Sequence, residues 1–250
     1  MSGHSKWSTI KRKKGAADAK RGKIFSRIAK EISVAARIGG GDPTGNPRLR
    51  TILLAARGEN MPKDNITRAI KKGTGEIEGA TYDEIRYEGY GPGGVAFIVD
   101  TLTDNKNRTV SEVRHILTKN GGSMAETNAV AWNFDQRGRI VIDAAGRDED
   151  ELFEKALEAG ADDVSVSDGE CEIMTEPADL HAVSAALEDM GLEAKEAKLT
   201  MLPKTTIDVD EKTAKQILRC MDMIEENEDV QDVYANFDVS DEVMAALSAE

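Results

Sequence analysis

Between residues 6 and 30 the chain carries ten Lys or Arg side chains (Lys6, Lys11, Arg12, Lys13, Lys14, Lys20, Arg21, Lys23, Arg27, Lys30) against one acid, Asp18. Cations at this density neutralise phosphates and release the counterions condensed on a polyanion. Trp7 stands among them. An indole between cations either stacks on a base, as aromatics do in single-stranded sites, or packs back on the first helix. The candidate nucleic-acid-binding residues are therefore Lys6, Trp7, Lys11, Arg12, Lys13, Lys14, Lys20, Arg21 and Lys23. A second polar cluster comprises Asp104, Asn105, Asn107, Arg108 and, a turn further along, Arg114. It brings amides and guanidinium groups to the start of a predicted helix, where they suit either a phosphate or carboxylate contact or capping of that helix.

Other chemistries lack their residues. His4, His115 and His181 lie far apart with no His-x-x-x-His spacing and no Cys partner, which argues against a metal site. Cys171 and Cys220 are too few and too distant for a disulfide framework or a zinc site and read as buried thiols of a reducing compartment. No Gly-x-Ser-x-Gly nucleophile motif or dinucleotide fingerprint occurs. Gly91-Pro92-Gly93-Gly94 lacks the Lys-Ser/Thr ending of a phosphate-binding loop and reads as a tight turn. Acid pairs such as Asp162-Asp163 and Glu225-Glu226 belong to a strongly acidic surface. The expectation is a protein without catalytic residues, metal, cofactor or small-molecule substrate.

Charge is divided unevenly along the chain. Residues 1–75 hold 18 basic and 5 acidic side chains, the remainder 15 and 41, so a net charge of −13 conceals a cationic start and an acidic body. The start attracts nucleic acid and the body repels it. The most apolar run, GVAFIVDTL, is cut by Asp100, and no secretory core precedes it, so a cytoplasmic protein with no membrane partner is expected.

The elements that must carry these groups follow from hydrophobic period. Ile24, Ile28, Ile32 and Ala35, widened by Phe25 and Ala36, predict a helix beginning near Ala16; residues 2–15 form a basic arm before it. The run Gly39 to Gly45 stops that helix, Leu49, Ile52, Leu53 and Ala56 predict a second, and Pro62 opens a third that ends at Gly73. A connection of about seven residues is longer than the three or four of a helix-turn-helix, so no major-groove reader is recognised. Beyond Gly79 the period becomes two: a hairpin around residues 85–99, a helix opened by the capping-box pattern Thr109 to Glu112, and a strand through Val130, Trp132 and Phe134. Residues 137–203 read as β-α-β-β-α-β, and the tail repeats half of that plan. The predicted fold is α+β: a small N-terminal helical domain (1–78) plus two ferredoxin-like α/β domains, one discontinuous (79–136 plus 204–250), with the other (137–203) inserted in it.

The blocks GHSKW (3–7), DAKRGKIF (18–25), GGGDP (39–43), NPRLR (46–50), YEGYGPGG (87–94), DNKNRTVSEVRH (104–115) and SDEV (240–243) span nearly the whole chain. In these it resembles the YebC/PmpR family, which includes a mitochondrial translational activator of cytochrome oxidase. The resemblance implies one helical and two ferredoxin-like domains and no enzyme. It also implies one of two activities: a probable transcriptional regulator that binds DNA, or a ribosome-associated factor that binds RNA and aids translation through proline-rich stretches. The motif blocks leave the choice between DNA and ribosomal RNA open.

Overall fold

The computed structural model describes residues 18–167 and 169–248, with the backbone alone at 18–21, 241 and 248. The chain divides into two compact units: one of residues up to Arg27, Thr81–Asp135 and Leu202 onward, the other of Ile28–Ala80 and Gln136–Met201. This grouping is by two rather than three, since the helical segment from residue 28 falls with 136–201.

In the second unit three helices come first: α1 (Asp18–Gly39), which begins in the other unit, α2 (Pro47–Gly58) and α3 (Lys63–Thr74). The predicted stripe of α1 is the face it buries: Ile28, Ile32, Ala35 and Ala36 are all inside. Burying an isoleucine of this kind contributes about 1.5–3 kcal/mol. α3 crosses α1 closely because Gly73 has no Cβ, which would lie 2.3 Å from Ser33 O; Ser33 Oγ in turn sits 2.9 Å from Ala69 O. Asn46 joins α1 to α2. Its Nδ2 donates to Ala35 O at 2.9 Å and Gly40 O at 2.8 Å, while its Oδ1 accepts from Leu49 N at 3.0 Å and so caps α2. Gly39 makes the room, since a Cβ there would lie 2.7 Å from the Asn46 amide.

The connection of about seven residues lies between α1 and α2, where residues 40–46 separate the helices. The link from α2 to α3 is shorter: α2 runs on through Gly58, and only Glu59–Pro62 separate it from α3. Asn60 takes the left-handed conformation (φ 56°), and Met61 N bonds back to Ala56 O at 2.9 Å, so Asn here does what Gly usually does at a helix end.

The rest of this unit is β4 (Phe134–Asp143), α5 (Glu149–Glu158), β5 (Asp163–Ser167), β6 (Glu170–Thr175), α6 (Leu180–Asp189) and β7 (Ala194–Pro203). The sheet order is β5-β6-β4-β7, with β6 antiparallel to both β4 and β5. Its core, including Ile140, Ile142, Leu152, Ile173, Val183 and Leu187, is drawn wholly from residues 140–197. Thr51 Oγ1 lies 2.6 Å from His181 Nδ1 and ties α2 to α6. Burial, then Arg50 and Arg48, depress the imidazole pKa. With the folded value below the unfolded one, the neutral ring's contribution is complete above about pH 6.5 and declines as pH falls further. Melting temperature is therefore expected to fall between pH 7.5 and 5.5 by an amount that His181→Gln reduces.

In the first unit β1 (Asp83–Tyr90), β2 (Ala96–Thr103), β3 (Ser123–Met124) and β9 (Val230–Ala235) form an antiparallel sheet in the order β3-β1-β2-β9. Helices α4 (Lys106–Lys119) and α7 (Glu211–Glu225) contribute Val113, Leu117, Ile217, Met221 and Ile224 to one core with Phe97, Val99 and Val233. A short parallel pair, β8 (Ile207–Asp208) and β10 (Phe237–Asp238), lies outside that sheet, and α8 (Asp241–Ser248) ends the chain's described part.

Three expectations change here. The strand at 207 pairs only with 237, and its place in the main sheet is taken by β1. α4 starts a turn before the supposed capping box: Asn105 is the cap, accepting from Arg108 N at 3.1 Å, and Thr109 is fully buried. Ala131–Asn133 is a 3-10 turn rather than a strand, leaving Trp132 68% exposed. The reason is Glu88 on β1, only 3% exposed, whose carboxylate accepts from Asn128 N (2.7 Å), Val130 N (2.7 Å) and Ala131 N (2.9 Å) and so occupies donors a ladder would need. Asn133 is likewise engaged, its Oδ1 accepting from Thr205 N at 3.1 Å and its Nδ2 donating to Thr205 O at 3.0 Å.

Candidate nucleic-acid interface

Most of the arm's candidates, Lys6, Trp7, Lys11, Arg12, Lys13 and Lys14, lie outside the described residues. Lys20 and Arg21 fall on the first turn of α1, but their side chains are also outside the description. Lys23 is described and exposed; its ammonium donates to Glu226 O at 3.1 Å. One turn on, Arg27 donates to Glu225 O. Both cations thus meet the C-terminal carbonyls of α7, the negative end of its dipole. They are committed to holding the start of α1 against the end of α7.

The second cluster is exposed, but part of it is already engaged. Arg108 Nη2 donates to Asp104 Oδ1 at 2.8 Å and to Asp229 Oδ2 at 2.6 Å, and Asp229 is 3% exposed. The hydroxyls of Thr103 and Thr109 lie 3.2 and 2.7 Å from the same Asp229 oxygen. These contacts, Asp229 first, push the guanidinium pKa up from an already high value, so Arg108 is a permanent counter-ion to a buried carboxylate. Asn105 spends its side chain as the helix cap. Asn107 and Arg114 are exposed, Asn107 lending its carbonyl to Ser111 Oγ at 2.8 Å. Arg114, unlike Arg108, has no carboxylate at ion-pair distance among the described residues.

Sequence reasoning placed α3 but did not single out its cations. Its buried edge is Ala69, with Gly73 against α1; Lys63, Arg68, Lys71 and Lys72 are exposed. Among the described residues none of these four has a carboxylate at ion-pair distance. Lys71 and Lys72 sit in the last turn, where the helix dipole favours them; the one acid of α3, Asp64, is in its first turn. The signal is the spacing of 68, 71 and 72 opposite 69 and 73, sparser than the run of cations in the arm.

The buried thiols carry no competing chemistry. Burial pushes the Cys220 thiol up to about 11, and burial followed by the Glu172 charge raises that of Cys171, so neither forms thiolate readily at neutral pH. Among the described residues no group of His, Cys, Asp and Glu is placed to hold a metal, and no helix is long and apolar enough to cross a membrane.

Two family models match the chain: the TACO1/YebC protein N-terminal domain over residues 5–76 and the TACO1/YebC second and third domain over residues 82–237. The chain belongs to the TACO1/YebC family. Its relatives include a probable transcriptional regulatory protein of Desulfotalea psychrophila, DP2908, 58% identical over 249 residues, covering 99% of this chain and all of that one. A probable transcriptional regulatory protein of Trichlorobacter lovleyi is 60% identical over 247 residues with the same coverage. Among solved structures, the conserved hypothetical protein Aq1575 of Aquifex aeolicus superposes with a TM-score of 0.84 at 46% identity, covering 90% of this chain and 93% of that one. The α+β architecture of a helical start followed by mixed helix and antiparallel-sheet domains is thus common to this TACO1/YebC chain and a crystal structure.

Proposed function

We propose that the chain is a non-enzymatic, nucleic-acid-binding regulator of gene expression in the cytoplasm, gripping the phosphate backbone with its basic arm and, separately, with α3. The observation that carries this reading is one side of α3, where Arg68, Lys71 and Lys72 are exposed with no carboxylate at ion-pair distance among the described residues. The names of the relatives, probable transcriptional regulatory proteins, support regulation as the output. The four-residue turn Glu59–Pro62 between α2 and α3 favours duplex DNA, since that is the length of a helix-turn-helix connection. The acidic body we assign to contacts other than nucleic acid. We read it as two ferredoxin-like domains, 137–203 inserted in 79–136 plus 204–250; the order β5-β6-β4-β7 supports this for the inserted one.

The test is binding across a salt series to duplex DNA, single-stranded RNA and ribosomes. Changing Arg68, Lys71 and Lys72 together to Ala is expected to lower the slope of log affinity against log salt by roughly 2–3 and to weaken binding at 0.15 M salt by about 100-fold. Deleting residues 2–14 should lower the slope by a further 3.5–4.5 or so if all five cations touch phosphate. Unchanged slopes on all three targets would defeat the reading. A loss confined to ribosomes and RNA would replace it with that of a ribosome-associated translation factor.

A further inference from the structure

Among the described residues Trp132 is the most exposed of the large apolar side chains, at 68%, although tryptophan is usually well buried. It is nevertheless held. Its Nε1 donates to Ala129 O at 2.9 Å, within the loop whose backbone Glu88 grips by three N–H groups. On the C-terminal side Asn133 is buried and clamped to Thr205. Burying a carboxylate is costly unless its bonds are made, so this unit spends a charged group on fixing a loop whose tip is an outward indole. Ring and loop are preorganised, which is how an aromatic anchor gains affinity.

What the ring can offer is limited. With Nε1 already bonded, it presents a π face, which attracts a guanidinium or ammonium. A nucleobase could stack there too, but it would bring phosphates to an acidic region: residues 81–135 and 202–250 together carry nine Lys or Arg against twenty-one Asp or Glu. Glu126, exposed in the same loop, adds to this field, while Asp135 is paired with Lys204 at 3.0 Å. We propose that Trp132 is the anchor of a docking site for an arginine-bearing segment of a basic protein partner, the guanidinium stacking on the indole inside an acidic surround. Arginine fits better than lysine because its planar, weakly hydrated head lies flat on an aromatic face. The surface is thus distinct in charge and in ligand from the cations of α3.

The test is fluorescence anisotropy of a labelled peptide alternating Arg and Gly, at low salt, with the full chain. Wild type should bind it and should not bind the same peptide with Gln for Arg. Trp132→Ala is expected to weaken binding by about 5- to 30-fold, Trp132→Tyr by less. Melting temperature should change little, and affinity for single-stranded RNA should stay the same in both variants. Equal peptide affinity in wild type and Trp132→Ala would overturn the proposal, as would no measurable binding of the Arg peptide. So would a loss of RNA binding in Trp132→Ala, which would make the ring a base-stacking platform. A concentration-dependent self-association that Trp132→Ala abolishes, with no effect on the peptide, would overturn it in favour of a second copy of this chain.

Discussion

Glu88→Ala should lower the stability of the first unit by about 3–5 kcal/mol and release the loop before β4. The carboxylate is 3% exposed and accepts three backbone N–H bonds of 2.7–2.9 Å, from Asn128, Val130 and Ala131. Hydrogen bonds to a charged group are worth roughly 1.5–3 kcal/mol each, and the donors left behind cannot all reach water because Val130 is itself buried. Glu88→Gln should cost less but still lose stability, since an amide offers only one oxygen and turns an N–H₂ toward a donor. Urea unfolding gives the magnitude, and Trp132 emission reports the loop directly. Burial raises the Glu88 pKa, but the three backbone donors together outweigh it, leaving the carboxyl below its ordinary value. A depressed folded value means the stabilisation is complete above about pH 4.3 and is lost as pH falls through the folded pKa. The wild type should therefore lose loop structure in acid along a component that Glu88→Gln lacks.

Arg108→Ala should destabilise the same unit by about 2–3 kcal/mol, while Arg114→Ala changes stability little. Removing one partner of a buried ion pair typically costs roughly 3–5 kcal/mol, and the figure is smaller here because the Arg108 side chain is 42% exposed and the hydroxyls of Thr103 and Thr109 stay with Asp229. Asp229→Asn in the Arg108→Ala background should recover part of the loss by discharging the orphaned carboxylate. Melting curves of the two singles and the double complete the cycle. An undiminished melting temperature in Arg108→Ala would show that its charge is free for another ligand, as the sequence had suggested.

The contrast between these residues shows what could be read from the sequence. Patterns set by neighbours along the chain were legible: the Ile28, Ile32 and Ala35 stripe, the β5-β6 hairpin, and the element order from β4 to β7 follow from period and turn chemistry. Two of the failures trace to a polar group arriving from far away. Thr109 looked like a cap but is drawn inside by Asp229, 120 residues on. Val130, Trp132 and Phe134 alternate like a strand, yet Glu88 from β1 had claimed the backbone donors. The cationic face of α3 was legible in principle, being a helical spacing, whereas the ion pairing that distinguishes Arg108 from Arg114 was not. Local pattern cannot say which cation has a carboxylate waiting across the fold.

The interleaved course of the chain also governs the sequence of events in its synthesis. β2 must pair with β9, Val99 opposite Val233, so the central sheet of the first unit cannot close until the ribosome has made the chain through β9. The core drawn from residues 140–197 needs no such wait. If that core forms first, it shortens the effective span between β2 and β9 and lowers the entropy cost of closing it. That core is then an assembly aid: it brings the two halves of the first unit's sheet within reach of each other while the chain is still being born.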